Sequence, residues 1–491
     1  MNKPHDLIII GSGFGGIGMA IQLKKAGRDD FLILEKADSV GGTWRDNTYP
    51  GAACDVESHL YSFSFAPKHD WSRRYSGHAE IKAYIESCVA RFELQQHLRF
   101  GAEVSELVFN DARNVWQVHL STGEVLESRV VITAMGQLNQ PRYPDIQGLE
   151  QFNGPVFHSA RWDHSVSLQG KRIGVIGTGA SAIQFVPQLA QVAQELHVFQ
   201  RSGSWVIGKN DRPFKPWEQW LFRHVPGAAR LYRTFLYVKS ESRAVVFTRF
   251  HWLLKYGEWR ARWLARRDVK NRMKRQQLIP DYQVGCNRIL LANDWYSSVD
   301  LPHVNLVTQP IQEVTANGVV TSDGTLHNAD VLVLGTGFRA SEFLTPLRVI
   351  GRGGLNLNTA WAQGAEAYKG ISVHGFPNLF MLYGPNTNLS HSSILLMLES
   401  QIHYVLACLH QLDVRQSVAM DVKPESQRKY VSALQRKLGR AVWSSGCSSW
   451  YLDANGRNVV NWYGFTFSYR WQTRHVNAAD YQWFTGGSRK G

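Results

Sequence analysis

Apolar runs, glycine-rich turns and helical spacing follow one another in the same order twice along this chain of 491 residues. Leu7-Ile8-Ile9-Ile10 is short and apolar at every position, as a strand covered on both faces must be. Gly11-Ser12-Gly13-Phe14-Gly15-Gly16 follows, then helical spacing from Ile17 to Ala26, then a second apolar run, Phe31-Leu32-Ile33-Leu34, closed by Glu35. Strand, glycine turn, helix and strand predict a right-handed βαβ unit. A second copy starts about 160 residues later with Arg172-Ile173-Gly174-Val175-Ile176 and turns through Gly177-Thr178-Gly179-Ala180-Ser181-Ala182. Its helix runs to about Ala193 and its return strand, Leu196-His197-Val198-Phe199, ends in Gln200-Arg201. Further strands are expected at Val115 to Leu120, Val130 to Thr133, Val304 to Val307 and Val331 to Leu334. From Trp205 to about Gln277 the pattern changes to Trp, Arg and Leu at helical spacing, which predicts a mostly helical insertion.

A chain of this length forms two or three units, not one. Its hydrophobic share of 44% and charged share of 19% exclude general disorder. No run of uncharged apolar residues is long enough to span a bilayer. Met1-Asn2-Lys3-Pro4-His5-Asp6 leads into the first strand without a small-residue cleavage site, so no secretory leader and a cytoplasmic location are expected. Cys54, Cys88, Cys286, Cys408 and Cys447 show no CxxC or Cys/His spacing, which reads as a reducing compartment and no structural metal. The net charge of +14 is local: residues 201–280 hold nineteen Lys or Arg against five Asp or Glu.

Each glycine turn stands between a strand and a helix with the spacing GxGxxG or GxGxxA. The first glycine permits the turn, the second lets a pyrophosphate approach the backbone, and the third position must be small for the helix to pack on the strand. The helix N-terminus then offers free N–H groups and the positive end of its dipole. Glu35 can accept hydrogen bonds from ribose hydroxyls, whereas Arg201, read as its counterpart, would bind a 2′-phosphate unless it is a solvated surface arginine. The first site is thus expected to hold an unphosphorylated dinucleotide and the second NADP(H). Together they point to a flavin reduced by a nicotinamide. The first fold needs late returns of the chain, and Leu334-Gly335-Thr336-Gly337-Phe338 reads as one, with Ala134-Met135-Gly136 as the other.

Between the two units stands Phe152-Asn153-Gly154-Pro155-Val156-Phe157-His158-Ser159-Ala160-Arg161-Trp162-Asp163, or FxGxxxHxxxWD. It closely resembles the fingerprint of type I Baeyer–Villiger monooxygenases, FAD- and NADPH-dependent enzymes of the flavin-containing monooxygenase superfamily. Gly41-Gly42-Thr43-Trp44, Tyr49-Pro50-Gly51-Ala52-Ala53-Cys54-Asp55 and Gly285-Cys286-Asn287-Arg288 resemble the same family. Ser449-Trp450-Tyr451-Leu452 and Gly456-Arg457-Asn458 resemble its hydroxyacetophenone monooxygenase branch. The resemblance implies an α/β fold with two Rossmann-like domains, for FAD and NADP, and the helical insertion. The expected FAD-binding parts are 1–150 and 366–491, the NADP-binding parts 151–204 and 281–365, and the insertion 205–280.

The resemblance further implies insertion of one oxygen atom from O2 beside a ketone carbonyl, giving an ester or lactone through a C4a-peroxyflavin. Arg288, positioned by Asp55, is the implied catalytic cation, because a guanidinium that stays charged can hold both an anionic peroxide and an alkoxide-like adduct. Cofactor contacts are implied for Gly11, Gly13, Phe14, Gly15, Gly16, Glu35, Lys36, Thr43, Trp44, Asp55 and Tyr61. The same holds for Gly177, Thr178, Gly179, Ala182, Arg201, Ser202 and Arg288. Phe152, Gly154, His158, Trp162 and Asp163 are implied to couple domain movement to the nicotinamide, although His158 and Trp162 could equally be packing residues of a linker. The family often carries lysine before the arginine; Asn287 stands here, so selectivity for the phosphorylated cofactor rests more on Arg201 and Ser202.

The competing activity is N- or S-oxygenation, which needs no alkoxide-stabilising arginine. The basic tract around Trp252, Trp259 and Trp263 reads first as a lid whose aromatics pack on the nicotinamide domain, and second as an interfacial amphipathic helix on a membrane surface. No motif supports nucleic-acid binding. The ketone and the oligomeric state are not encoded in these patterns.

Overall fold

His5–Ile10 lies inside the first sheet, and its register explains why Leu7 to Ile10 are all apolar. It runs parallel to Phe31–Leu34 on one side and to Val125–Thr133 on the other. Successive side chains point to opposite faces: Leu7 and Ile9 enter one core, Ile8 and Ile10 another. Both faces are covered from Leu7 to Ile10, which are buried, while the polar His5 and Asp6 stand at the half-buried start of the strand. In this computed structural model residues 4–447 and 449–485 are described. Met1, Asn2 and Lys3, which open the N-terminal stretch read above, lie outside the described residues. Val104–Asn110, Val115–Leu120 and Val125–Thr133 extend the sheet as an antiparallel meander.

The second sheet has five parallel strands in the order Val304–Val307, Glu195–Phe199, Arg172–Ile176, Val331–Leu334, Val156–His158. The helix Ala182–Leu189 packs on it through Ile183, Phe185 and Val186, all buried. Each such side chain contributes on the order of 1.5–3 kcal/mol by leaving water.

Two expectations about the return of the chain are corrected here. Val331–Leu334 does not complete the first sheet; it pairs with Arg172–Ile176 and Val156–His158 in the second. A continuous apolar run suits a buried parallel strand in either sheet, so the run alone does not say which. The strand that returns to the first sheet is Leu379–Met381, beside Val131–Thr133. Arg348–Ile350 also joins the first sheet, against Glu106–Val108. The chain has therefore crossed back before 348, earlier than the expected change at 365.

The insertion contains the helices Pro216–His224, Ala228–Thr248, Leu254–Asp268 and Arg272–Leu278. Leu254, Ala261, Leu264 and Ala265 form the buried face of the third of these. Trp252, Trp259 and Trp263 face outward, contrary to the expected inward-packing lid, because the helix already has this separate small-residue and leucine face for the core. Among the described residues no helix is long and apolar enough to cross a membrane.

The cysteine reading is also corrected. Cys286 and Cys447 form a disulfide with their Cα atoms 6.3 Å apart, while Cys54, Cys88 and Cys408 are free and buried. The partners are 161 residues apart, so only the tertiary fold brings them together, and the bond is at odds with a reducing compartment. Denatured without reductant, the protein should show three titratable thiols, and five after reduction; five in both cases would remove the bridge.

Candidate active site

The two glycine turns are built alike. Gly11 N–H donates to Leu34 O at 2.8 Å and Gly177 N–H to Phe199 O at 3.0 Å, locking each turn to the end of the neighbouring strand. Gly11 has φ +103°, which an L side chain rarely adopts, and a Cβ on Gly16 would lie 1.9 Å from Gly11 O. Gly13 differs: a Cβ there would meet only Gly42 Cα, at 3.7 Å. The first backbone bonds inside the helices are Ile17 N to Gly13 O and Ile183 N to Gly179 O. The preceding amides of each first turn are thus left for a ligand. This fits a dinucleotide pyrophosphate at both places.

Glu35 is buried at the end of its strand and accepts from Ser12 N at 2.9 Å, Ser12 Oγ at 2.7 Å and Ala37 N at 3.0 Å. Arg45 lies 3.0 Å away. Burial raises its pKa, but these hydrogen bonds and Arg45 outweigh it and hold the carboxyl below its usual range. Lys36 is exposed next to it. A cleft of about 400 Å³ runs from Lys36 and Arg45 to Arg161 and Trp162.

In the second unit the counterpart of Glu35 is Gln200, not Arg201. Gly177 bonds to Phe199, so the residue after the bond is Gln200, whose side chain is buried and donates to Gln277 O at 2.8 Å. The second unit is one residue shorter between turn and strand end, which shifts the register. Arg201 is one place further on, the counterpart of Lys36, and is exposed together with Ser202. Thr178 Oγ1 donates to Ser202 O at 3.3 Å, fastening this segment to the turn. Ala182, fully buried, fills the third position and packs 3.4 Å from where a Cβ on Gly335 would stand.

Asp55 and Arg288, 233 residues apart, meet between the units. Arg288 Nε donates to Asp55 Oδ2 at 2.9 Å and Nη2 donates to the same oxygen. Nη1 has no hydrogen-bond partner among the described residues. Asp55 raises the pKa of the guanidinium above its usual value. Burial works against ionisation of Asp55, but Arg288 prevails and lowers its pKa. Tyr383 and Tyr451 stand close enough to Arg288 to feel its charge. Tyr61 receives a hydrogen bond from Trp44 Nε1 at 3.2 Å and its ring meets Phe14 edge-on at 5.2 Å. Thr43 is exposed at the start of the short helix that carries Trp44.

Two anchors of this pair, Gln184 and Lys209, lie outside the motifs read from sequence, and a third, the Cys286–Cys447 bridge, joins one of those motifs to a distant cysteine. Gln184, on the helix of the second unit, accepts from Tyr49 OH at 2.9 Å and Ala53 N at 3.4 Å and donates to Ala53 O at 3.0 Å. A Cβ on Gly51 would lie 2.7 Å from Gln184 O, so the Tyr49–Asp55 segment fits against that helix only with glycine there. Lys209 brings a second positive charge toward Asp55, its own pKa lowered by burial. The Cys286–Cys447 bridge ties the Arg288 loop to the segment carrying Trp450 and Tyr451. Arg457 is taken up instead by Glu366, at 3.0 Å.

The fingerprint residues have packing positions with one polar exception. A Cβ on Gly154 would be 2.3 Å from Asp330 O, and Phe152 is buried beside it. His158 is fully buried on the edge strand of the second sheet, opposite Leu334, and burial pushes its pKa down to about 4. Its Nδ1 accepts from Ala160 N at 3.0 Å. Trp162 packs on Phe157 and Phe185, 5.1 and 5.4 Å between ring centres. Asp163 is exposed and caps a turn through Ser165.

Residues 8–226 match the pyridine nucleotide-disulphide oxidoreductase family. A Baeyer–Villiger monooxygenase of Pseudomonas aeruginosa is 43% identical over 475 residues, covering 96% of this chain and 90% of that protein. One of Streptomyces coelicolor is 44% identical over 476 residues, covering 96% and 92%. Among solved structures, an oxidised steroid monooxygenase bound to NADP matches with a TM-score of 0.88 at 28% identity, covering 99% of this chain and 100% of that one. Two glycine turns, a carboxylate–guanidinium pair between them and these relatives lead to one assignment: the chain belongs to the Baeyer–Villiger monooxygenases, enzymes that use FAD, NADPH and O2 to insert one oxygen atom beside a ketone carbonyl.

Proposed function

We propose that Arg288, aimed by Asp55, is the catalytic cation, and that the ketones converted are open-chain or aryl-alkyl. The observation that carries the first part is the pair itself. A guanidinium held by one carboxylate oxygen through Nε and Nη2 keeps Nη1 for a reacting oxygen. Its pKa lies above the ordinary arginine value, so it offers charge and hydrogen bonds without giving up a proton.

FAD, when bound, carries the reducing equivalents of NADPH to O2. The first turn, Gly11 to Gly16, presents its free amides to the pyrophosphate, and Glu35 holds the ribose. Trp44, Tyr61 and Phe14 line the way toward Asp55. Arg201 and Ser202, exposed at the second turn, take the 2′-phosphate; Asn287 adds no charge. His158, neutral at working pH, and Trp162 hold the second helix in place and move no protons. The preference for open-chain or aryl-alkyl ketones rests on the likeness of the Trp450 segment to the hydroxyacetophenone branch.

Arg201→Ala should raise KM for NADPH far more than for NADH, on the order of 10-fold for one lost charge-assisted contact. Asn287→Lys should sharpen the preference for NADPH. Equal use of both cofactors by the parent, unchanged in Arg201→Ala, would place the phosphate elsewhere. A panel of 2-decanone, acetophenone and cyclohexanone, read by product mass, tests the substrate class. An ester from the first two in excess over lactone from the third is expected; lactone alone would reverse the assignment.

A further inference from the structure

We infer that the helical insertion is an interfacial surface that holds this enzyme on an anionic lipid bilayer. The argument starts from which side of each helix faces out. On the helix Leu254–Asp268, Tyr256, Trp259 and Trp263 are 63%, 58% and 48% exposed. At 3.6 residues per turn they fall within an arc of about 60°. Trp252, 66% exposed, continues the same 4-3-4 spacing into the preceding turn. The buried face, Leu254, Ala261, Leu264 and Ala265, lies on the opposite side. The helix therefore has two apolar stripes, and only one is used by the core. The preceding long helix, Ala228–Thr248, repeats the arrangement with Leu231, Phe235 and Val238, 74%, 61% and 59% exposed at i, i+4 and i+7.

Charge identifies the occupant. Lys255 and Arg266 flank the ring stripe on one side and Arg260 on the other; all three are exposed and join no ion pair among the described residues. The five acidic side chains of 201–280 do not offset this outward charge. Glu241 is buried, and Asp211, Glu218, Glu258 and Asp268 are each bonded to an arginine of the same chain. A stripe of Trp and Tyr rings edged by Lys and Arg matches the boundary between headgroups and acyl chains, where rings settle and cations meet lipid phosphates. A protein partner of this size of apolar face would be expected to bring acidic residues, but a second copy of this chain presents the same positive charge and would be repelled. Each basic residue near an anionic leaflet strengthens attachment, and salt weakens it. Docking here would deliver apolar ketones from the lipid phase to the enzyme.

The test uses the FAD-loaded enzyme with vesicles of phosphatidylcholine containing phosphatidylglycerol, and of phosphatidylcholine alone. Co-sedimentation is expected with the anionic vesicles at low salt, with a blue shift of tryptophan fluorescence, and release at high salt. Lys255→Glu with Arg266→Glu should weaken partitioning at least about tenfold. Trp252→Ser, Trp259→Ser and Trp263→Ser together should do the same, with melting temperature and turnover of a water-soluble ketone unchanged, since none of these side chains is in a core. No sedimentation with anionic vesicles at low salt would overturn the proposal. So would sedimentation that neither set of substitutions reduces. A dimer in solution that the tryptophan substitutions dissociate would show that a second copy covers the face instead.

Discussion

Arg288→Ala should keep its FAD and stop making ester. The Gly11–Gly16 turn, proposed to hold FAD, makes no contact with this side chain among the described hydrogen bonds, which go to Asp55. The flavin spectrum and its reduction by NADPH should therefore persist, while ester formation falls by about 10²- to 10³-fold, the scale of losing one preorganised donor to a developing oxyanion. NADPH should still be oxidised, its electrons appearing as hydrogen peroxide. Arg288→Lys should rescue little, because an ammonium cannot reproduce the two contacts to one carboxylate oxygen and still present a donor forward. A melting curve on Asp55→Asn with Arg288→Ala, which removes both charges, separates loss of chemistry from damage by an unpaired carboxylate. Ester yield like that of the parent would exclude Arg288 from the reaction.

Gly13→Val should give a folded protein that purifies without colour. The three motif glycines of the first turn, Gly11, Gly13 and Gly16, are not equivalent. Substitution at Gly16 drives a Cβ into Gly11 O at 1.9 Å, and at Gly11 into Ala134 O at 2.7 Å, so both would break the turn itself. At Gly13 the backbone has ordinary φ of −78° and the nearest atom to a Cβ is 3.7 Å away. The added side chain should then intrude only on the space proposed for the pyrophosphate. FAD affinity should drop about 10- to 100-fold, the equivalent of the 1–3 kcal/mol that overpacking a contact costs. Near-parental melting of the apoprotein together with lost absorbance is the expected pair of results. A folded variant with full FAD would place the pyrophosphate elsewhere.

The contrast among these glycines also shows what local sequence can carry. A turn motif is legible because backbone sterics act within a few residues: Gly11, Gly16 and the strand and helix around them dictate one another. The second unit shows where that stops. Arg201 was the expected counterpart of Glu35, but one residue fewer between turn and strand end puts Gln200 there, and only the Gly177 to Phe199 hydrogen bond reveals it. Gln184 and the Cys286–Cys447 bridge act across 131 and 161 residues and follow no spacing rule. The rings of the Leu254–Asp268 helix were legible as a periodic stripe. Their direction was not, because that helix bears two apolar stripes and periodicity does not say which one the core takes.

Acetophenone and thioanisole, mixed in equal amounts under ¹⁸O2 with NADPH, put nucleophilic and electrophilic oxygen transfer in direct competition at one site. With Arg288 fixed by Asp55 and charged at every working pH, label should appear chiefly in the ester and disappear from it in Arg288→Ala. Label confined to the sulfoxide in both proteins would contradict the assignment of this pair to carbonyl chemistry.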